Sequence, residues 1–315
     1  MSPRLRRNLV PLMLATLWVA LLVGLAVAQP WMLSARTATS VLQFATILCL
    51  AAMGVGLVVL AGGGGIDLSV GGMISLSAVV GMLGLGEGLP GASLPMVCLL
   101  IGFVLGLLNG VLITRLGILP LIVTLGTFYL YAGLALAITG GAALSGVPGW
   151  AVTWGRGQAG PMPVPFLTVV LPVFAILVAL LALTAWGRWI VAMGDDERAA
   201  RLAGLPVDRT RLLLYAGSGA LAGLAGFVSL AWLGSARPNI GVNVELEALT
   251  AVLLGGIAIT GGRGGLVGVV AAALLVVAVR TAMLQAGVDT VWQTGLIGLL
   301  LLVALFANRF SNARG

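Results

Sequence analysis

The sequence predicts an all-α fold, a polytopic transmembrane bundle of about ten spans with both termini cytoplasmic. Three observations predict it. Apolar residues fill 60 % of the 315 positions and charged residues 8 %, where soluble chains carry about 25 % charge. Apolar runs of about 20 residues, the length that crosses the hydrocarbon core, follow one another with short breaks. All sixteen basic residues are Arg, with no Lys and no His, and most fall on one side of the threading those runs impose.

The first run, residues 9–28, follows Arg4, Arg6 and Arg7. That pattern imitates a secretory signal peptide, with Ala26 and Ala28 as a small-residue cleavage site. The run is longer than a typical signal core and everything downstream also spans, so a retained first span is expected. Further spans are expected over 41–61, 69–86, 95–114, 119–139, 166–186, 212–232, 245–261, 266–284 and 291–307. An even count places both ends together. Arg4, Arg6, Arg7, Arg115, Arg188, Arg198, Arg201, Arg209, Arg211, Arg263, Arg309 and Arg314 then share one side, while Arg36, Arg156 and Arg237 lie opposite and Arg280 sits near the outer end of a span. The positive-inside rule puts the richer side in the cytoplasm. The arginines are spread among loops, so orientation explains the net charge of +7 and nucleic acid is not expected. The whole chain, 1–315, reads as one transmembrane domain in the lipid bilayer.

Composition excludes several chemistries. Without His there is no His-based metal site and no Ser-His dyad, and no paired carboxylates occur within the apolar runs, so an enzyme is not expected. Ion-coupled carriers bury Asp, Glu, His or Lys in their spans; here Asp67, Glu245, Glu247 and Asp289 all lie near span ends. Energy supplied from outside the chain is the economical inference. Cys49 and Cys98 sit in apolar runs and read as small core residues.

Small residues recur every fourth position at Gly102, Gly106 and Gly110, and at Ser218, Ala222 and Gly226 beside Gly219 and Gly223. Lipid tails give helices no hydrophobic reason to associate, so close backbone approach over small residues supplies the contact. The run AGGGGIDLSVGG, residues 61–72, ends a span with polyglycine and sets Asp67 between two spans. Asp67 has two readings: a cap at the start of the next helix, or an acceptor for substrate hydroxyls or a partner loop. A second break, LLGGIAITGGRGG at 253–265, carries Arg263. Paired Gly-interrupted segments can mark a transporter's binding region, but these two do not occupy matching positions in the two halves. The outer connection 140–165 is rich in Gly, Pro and Trp, and its Trp150 and Trp154 suit headgroup depth.

The stretch 193–211, MGDDERAARLAGLPVDRTR, holds eight of the chain's charged side chains. Asp195 or Asp196 supplies an N-cap, Glu197 stands in the first turn, ERAARLA favours helix, Gly204 suits a left-handed C-terminal position and Pro206 stops it. A short, capped surface helix is expected, with Arg198 and Arg201 on one face. A merely solvated loop needs no such construction, so this element reads as a docking site for a soluble partner.

Four ordered segments resemble one family. GGIDLSVGGMISLSA (64–78), LPLIVTLGTFYLYAGLALAITGG (119–141), ERAARLAGLPVDRTRLLLYAGSGALAGLAGFV (197–228) and ELEALTAVLLGGIAITGGRGGLVG (245–268) are similar to motifs of the permease subunits of bacterial ABC-type carbohydrate importers, the ribose, xylose, arabinose, rhamnose and autoinducer-2 group. The resemblance implies a pore half in the cytoplasmic (inner) membrane that translocates a small sugar by alternating access. Its implied partners are a second permease copy or sister permease, two cytoplasmic ABC ATPase subunits and a periplasmic sugar-binding protein. It implies no cofactor or metal in this chain, since ATP and Mg belong to the ATPase. Residues 194–209 become the ATPase-docking segment, with Asp196, Glu197, Arg198, Ala199, Ala200, Arg201, Leu202 and Gly204 as its docking residues. Asp67, Ser69, Asn109, Thr124 and Thr127 are candidates for the translocation pathway or its support, with threonine bonding to its own helix as the competing reading. Asp196 stands where many relatives carry Asn, Ala203 replaces a common Ser, and Ala132 occupies a position where many place Arg. Relatives moving branched-chain amino acids form the first alternative, and a stand-alone channel or secondary carrier the second.

Overall fold

The structure, a computed structural model, describes the backbone of residues 3–312 and the side chains of residues 12–308. The side chains of Arg4, Arg6, Arg7, Arg309 and Arg314, which enter the charge argument, lie outside it. In hydrocarbon every backbone polar group must be paired internally, so the apolar runs coil. They form α1 (Pro3–Ala28), α2 (Ala35–Leu60), α3 (Val70–Gly86), α4 (Leu94–Thr114), α5 (Pro120–Thr139), α7 (Leu171–Leu183), α10 (Val207–Leu233), α11 (Val244–Leu254), α12 (Leu266–Gln285) and α13 (Thr290–Asn312). The connections add α6 (Gly149–Arg156), α8 (Ala185–Asp195) and α9 (Glu197–Leu202), and a two-residue antiparallel hairpin pairs Gln158–Ala159 with Met162–Pro163.

Among the described residues, seven helices are long and apolar enough to cross a membrane: Ala35–Leu60, Gly91–Thr114, Pro120–Thr139, Phe166–Leu183, Val207–Leu233, Leu266–Gln285 and Thr290–Asn308. Leu12–Ala28 and Val70–Gly86 are shorter apolar helices. The chain is therefore a polytopic helical membrane protein. Two expected boundaries are corrected. The span expected over 245–261 is the 11-residue α11, about 16 Å long and half the hydrocarbon thickness, because Gly255 and Gly256 end it. The run expected over 166–186 opens with a π turn, Phe166–Val170, and stops at Leu183. Thr184, extended, then caps α8 by accepting from the Gly187 N–H at 3.2 Å.

The centre of the bundle is α2, α3 and α10, whose sides face protein nearly all round. The predicted small-residue faces set this arrangement. Along α10, Gly219 and Gly223 meet Gly102 and Gly106 of α4 backbone to backbone, and Gly226 meets Ile74 of α3. A Cβ at Gly102 would strike the Gly219 carbonyl and the Gly223 backbone. Cys49 and Cys98 are buried and free, as expected of core residues.

Candidate functional site

The charged loop folds as its sequence requires. The Asp196 carboxylate accepts from the Ala199 N–H at 3.0 Å, capping α9. At the other end Gly204, at φ +79°, donates its N–H to Arg201 O at 3.0 Å and Leu205 N–H donates to Ala200 O at 3.1 Å, the Schellman pairing of a left-handed C-terminal glycine. Six residues alone would fray, so α9 is clamped by charge. Arg201 donates to Glu197 at 3.0 Å and to Asp208 at 2.6 Å, and Arg211 donates to Glu197 Oε2 at 2.7 Å. Arg211 holds the Glu197 carboxyl below its ordinary range, Arg201 does the same for Asp208, and the two carboxylates push Arg201 up.

The eight predicted docking residues thus divide. Asp196, Glu197, Arg201 and Gly204 shape the helix, and Ala200 is buried against the bundle. Arg198, Ala199 and Leu202 face outward, with Leu202 85 % exposed. An exposed leucine on a rigid, clamped turn is suited to insertion into a partner's groove. Arg198 and Arg201 differ in their surroundings: Arg201 is engaged within the chain by Glu197 and Asp208, and Arg198 is in none of the ion pairs among the described residues.

Both glycine breaks meet the root of this loop. Gly194 lies against Gly62 and Gly262, and Gly262 N–H donates to Leu60 O at 2.9 Å. No side chain fits between these backbones, and Gly62, Gly261 and Gly262 all have positive φ, which explains glycine there. The two breaks do not occupy matching positions in the two halves of the chain, yet the fold brings them together. Asn308 of α13 holds the second break, donating to Ile257 O at 2.9 Å and accepting from Ile259 N–H at 3.3 Å.

From there the segment 63–67 runs inward along one stripe of α10. Gly63 lies against Arg211 and Glu197, Tyr215 Oη donates to Ile66 O at 3.4 Å, and Ser218 Oγ donates to Asp67 Oδ2 at 2.7 Å. Positions 211, 215 and 218 share a face because they repeat at four and three residues. Asp67 Oδ1 accepts from the Ser69 N–H at 3.0 Å and the Ser69 hydroxyl at 2.5 Å. Asn109 Nδ2 then donates to Ser69 Oγ at 2.8 Å, Tyr131 Oη to Asn109 Oδ1 at 3.1 Å, and Thr124 Oγ1 to Ile66 O at 3.2 Å. Asp67, Ser69, Asn109 and Thr124 are all fully buried.

Four of the five predicted pathway residues therefore form one sealed network. Thr127 borders it, donating to Val123 O at 2.9 Å and to Thr124 O at 3.3 Å within its own helix. Asp67 is not the N-cap of α3; that position is Ser69, and the carboxylate fixes the turn before the helix and ties it to α10. Tyr131, Tyr215 and Ser218 were not among the predicted site residues. The only sequence signal for them is a hydroxyl within an otherwise apolar helical stripe.

A model of the family described as branched-chain amino acid transport system / permease component matches residues 37–305. The chain is 34 % identical over 299 residues to the Probable ABC transporter permease protein y4mJ of Sinorhizobium fredii, covering 94 % of this chain and 88 % of that one. It is 36 % identical over 302 residues to the ribose import permease protein RbsC of Bacillus subtilis, covering 93 % and 91 %. It is 33 % identical over 310 residues to the autoinducer 2 import system permease protein LsrD of Photorhabdus laumondii, covering 95 % and 90 %. No solved structure matches.

Proposed function

The chain belongs to the family of permease components of branched-chain amino acid transport systems and is the non-enzymatic membrane subunit of an ABC transporter, and we propose that it imports a small sugar across the bacterial inner membrane. The observation that carries the substrate class is similarity to proteins named for ribose and autoinducer 2 import, over 93 % and 95 % of this chain. An amino-acid substrate is favoured by the family description alone.

Both termini and α9 lie in the cytoplasm, following the arginine excess in the sequence. Residues 194–209 dock on an ABC ATPase, which binds ATP and Mg; Arg198, Ala199 and Leu202 make the contact, and Asp196, Glu197, Ala200, Arg201 and Gly204 hold the contact surface in shape. A second permease copy or sister permease completes the pore, and a periplasmic sugar-binding protein delivers substrate. Movement of α9 passes through the Glu197–Arg211 pair to the segment 61–69. Asp67, Ser69, Asn109 and Thr124 keep that segment in register with α10, and alternating access follows as it shifts.

Affinity purification of the tagged chain in mild detergent, with mass spectrometry of what stays bound, tests the assembly. Recovery of an ABC ATPase and a sugar-binding protein is expected. A chain recovered alone from cells expressing its native neighbours would favour a stand-alone carrier.

A further inference from the structure

Two cavities lie side by side at the end of the bundle remote from α9. One, of about 600 Å³, is lined by Arg36, Ser40, Gln43, Arg156 and Gln158 and by no carboxylate. The other, of about 260 Å³, is walled mainly by apolar side chains, among them Ile47, Leu48, Val277 and Leu284, with the uncharged polar Thr281, Thr290 and Gln293 also in its lining. Its only charged lining is Glu247 and Arg280, which neutralise each other at 2.7 Å. Phe44 and Trp232 line both cavities and meet edge to face, ring centroids 4.9 Å apart.

The charge of the first cavity is uncompensated. Arg36 takes part in none of the ion pairs among the described residues. Arg156 donates through Nε and Nη2 to Trp232 O at 2.9 Å and Leu233 O at 3.0 Å, which fixes its guanidinium beside Trp232 and leaves Nη1 for a ligand. Arginine is sparse on this side of the threading, and orientation explains only the arginines on the richer side. Guanidinium groups suit phosphate oxygens in geometry as well as charge. A soluble anion would leave the apolar slot unused, and an uncharged amphiphile would leave both guanidiniums unused. An amphiphile with an anionic head uses both compartments, and a tryptophan at their junction matches the depth at which headgroups meet chains.

We propose that the paired cavities hold one anionic phospholipid, its phosphodiester on Arg36 and Arg156 and an acyl chain in the slot beyond Phe44 and Trp232. The sidedness of the two arginines, and with it placement of the lipid in the outer leaflet, rests on the topology proposed above; the cavities and their lining do not.

Native mass spectrometry of the delipidated full chain, resupplied in detergent with phosphatidylglycerol, tests this. The wild type should retain one lipid per chain. Arg36→Gln, an exposed change, should retain about tenfold less, the loss expected for one charge-assisted contact. Arg237→Gln removes the same charge on the same side but outside both cavities, and should match the wild type. Dihexanoyl phosphatidylglycerol, too short to fill the slot, should be retained less well than the long-chain lipid. Equal retention by Arg36→Gln, equal loss in Arg237→Gln, or displacement of the lipid by inorganic phosphate would each overturn the proposal.

Discussion

The Ser218 hydroxyl donates to Asp67 Oδ2 across 2.7 Å although 151 positions separate the two residues. That bond, with the two from Ser69, gives a fully enclosed carboxylate its donors and ties the polyglycine segment to the central helix. Ser218→Ala leaves Oδ2 unpaired in a buried site, which costs about 1–3 kcal/mol. Thermal unfolding in detergent should shift down, and uptake should fall in step with the amount of folded protein. Full stability with lost uptake would instead place Asp67 in contact with substrate.

The division of α9 into shaping and outward-facing residues gives a second expectation. Arg198→Glu with Leu202→Asp should abolish association with the ATPase while leaving the unfolding temperature unchanged, since both side chains face outward. Arg201→Glu should lower both, because Arg201 bridges Glu197 and Asp208. Co-purification and melting of the variants separate the two effects; identical behaviour would contradict the division.

Much of α9 was legible because caps are local: an Asp before the helix and a Gly after it act within a few residues. The network around Asp67 was only half legible. Asp67, Ser69, Asn109 and Thr124 stood out as polar groups among apolar ones, but their convergence depends on contacts between helices far apart in sequence. Ser218 was legible as a small packing residue and not as a donor. The eighth expected span is only partly helical for another reason: an apolar run that is helix over Val244–Leu254 and then a glycine-rich segment down to the root of the charged loop has the same composition as one unbroken helix, and hydropathy does not count turns. Thr184 was missed because its cap divides a continuous apolar stretch.

pH should act on the clamp. Glu197 and Asp208 have carboxyls held below their ordinary values of 4.5 and 3.8. A depressed acid stabilises fully above its ordinary value and loses that contribution as pH falls through the lower, folded one. Amide protection of residues 199–205 should therefore be constant between about pH 5 and 8 and drop below that range. Hydrogen exchange checks this; a loss near neutrality would contradict it.

Gly102→Val should prevent correct assembly. The new side chain meets the Gly219 carbonyl and the Gly223 backbone, neither of which can rotate away. Overpacking of this kind costs about 3 kcal/mol or more. Gly126→Val, where a Cβ meets nothing within 4 Å, is the matched control, and size-exclusion profiles of the two proteins should differ.

The central claim is that α9 hands motion from an ATPase to the bundle, and photo-crosslinking from position 202 in native membranes tests it most directly. A photoreactive residue there, 85 % exposed in place of Leu202, should yield one dominant adduct, identified by mass spectrometry as an ABC ATPase. Adducts only to lipid, or none while the same probe at Ala199 also stays silent, would contradict the account.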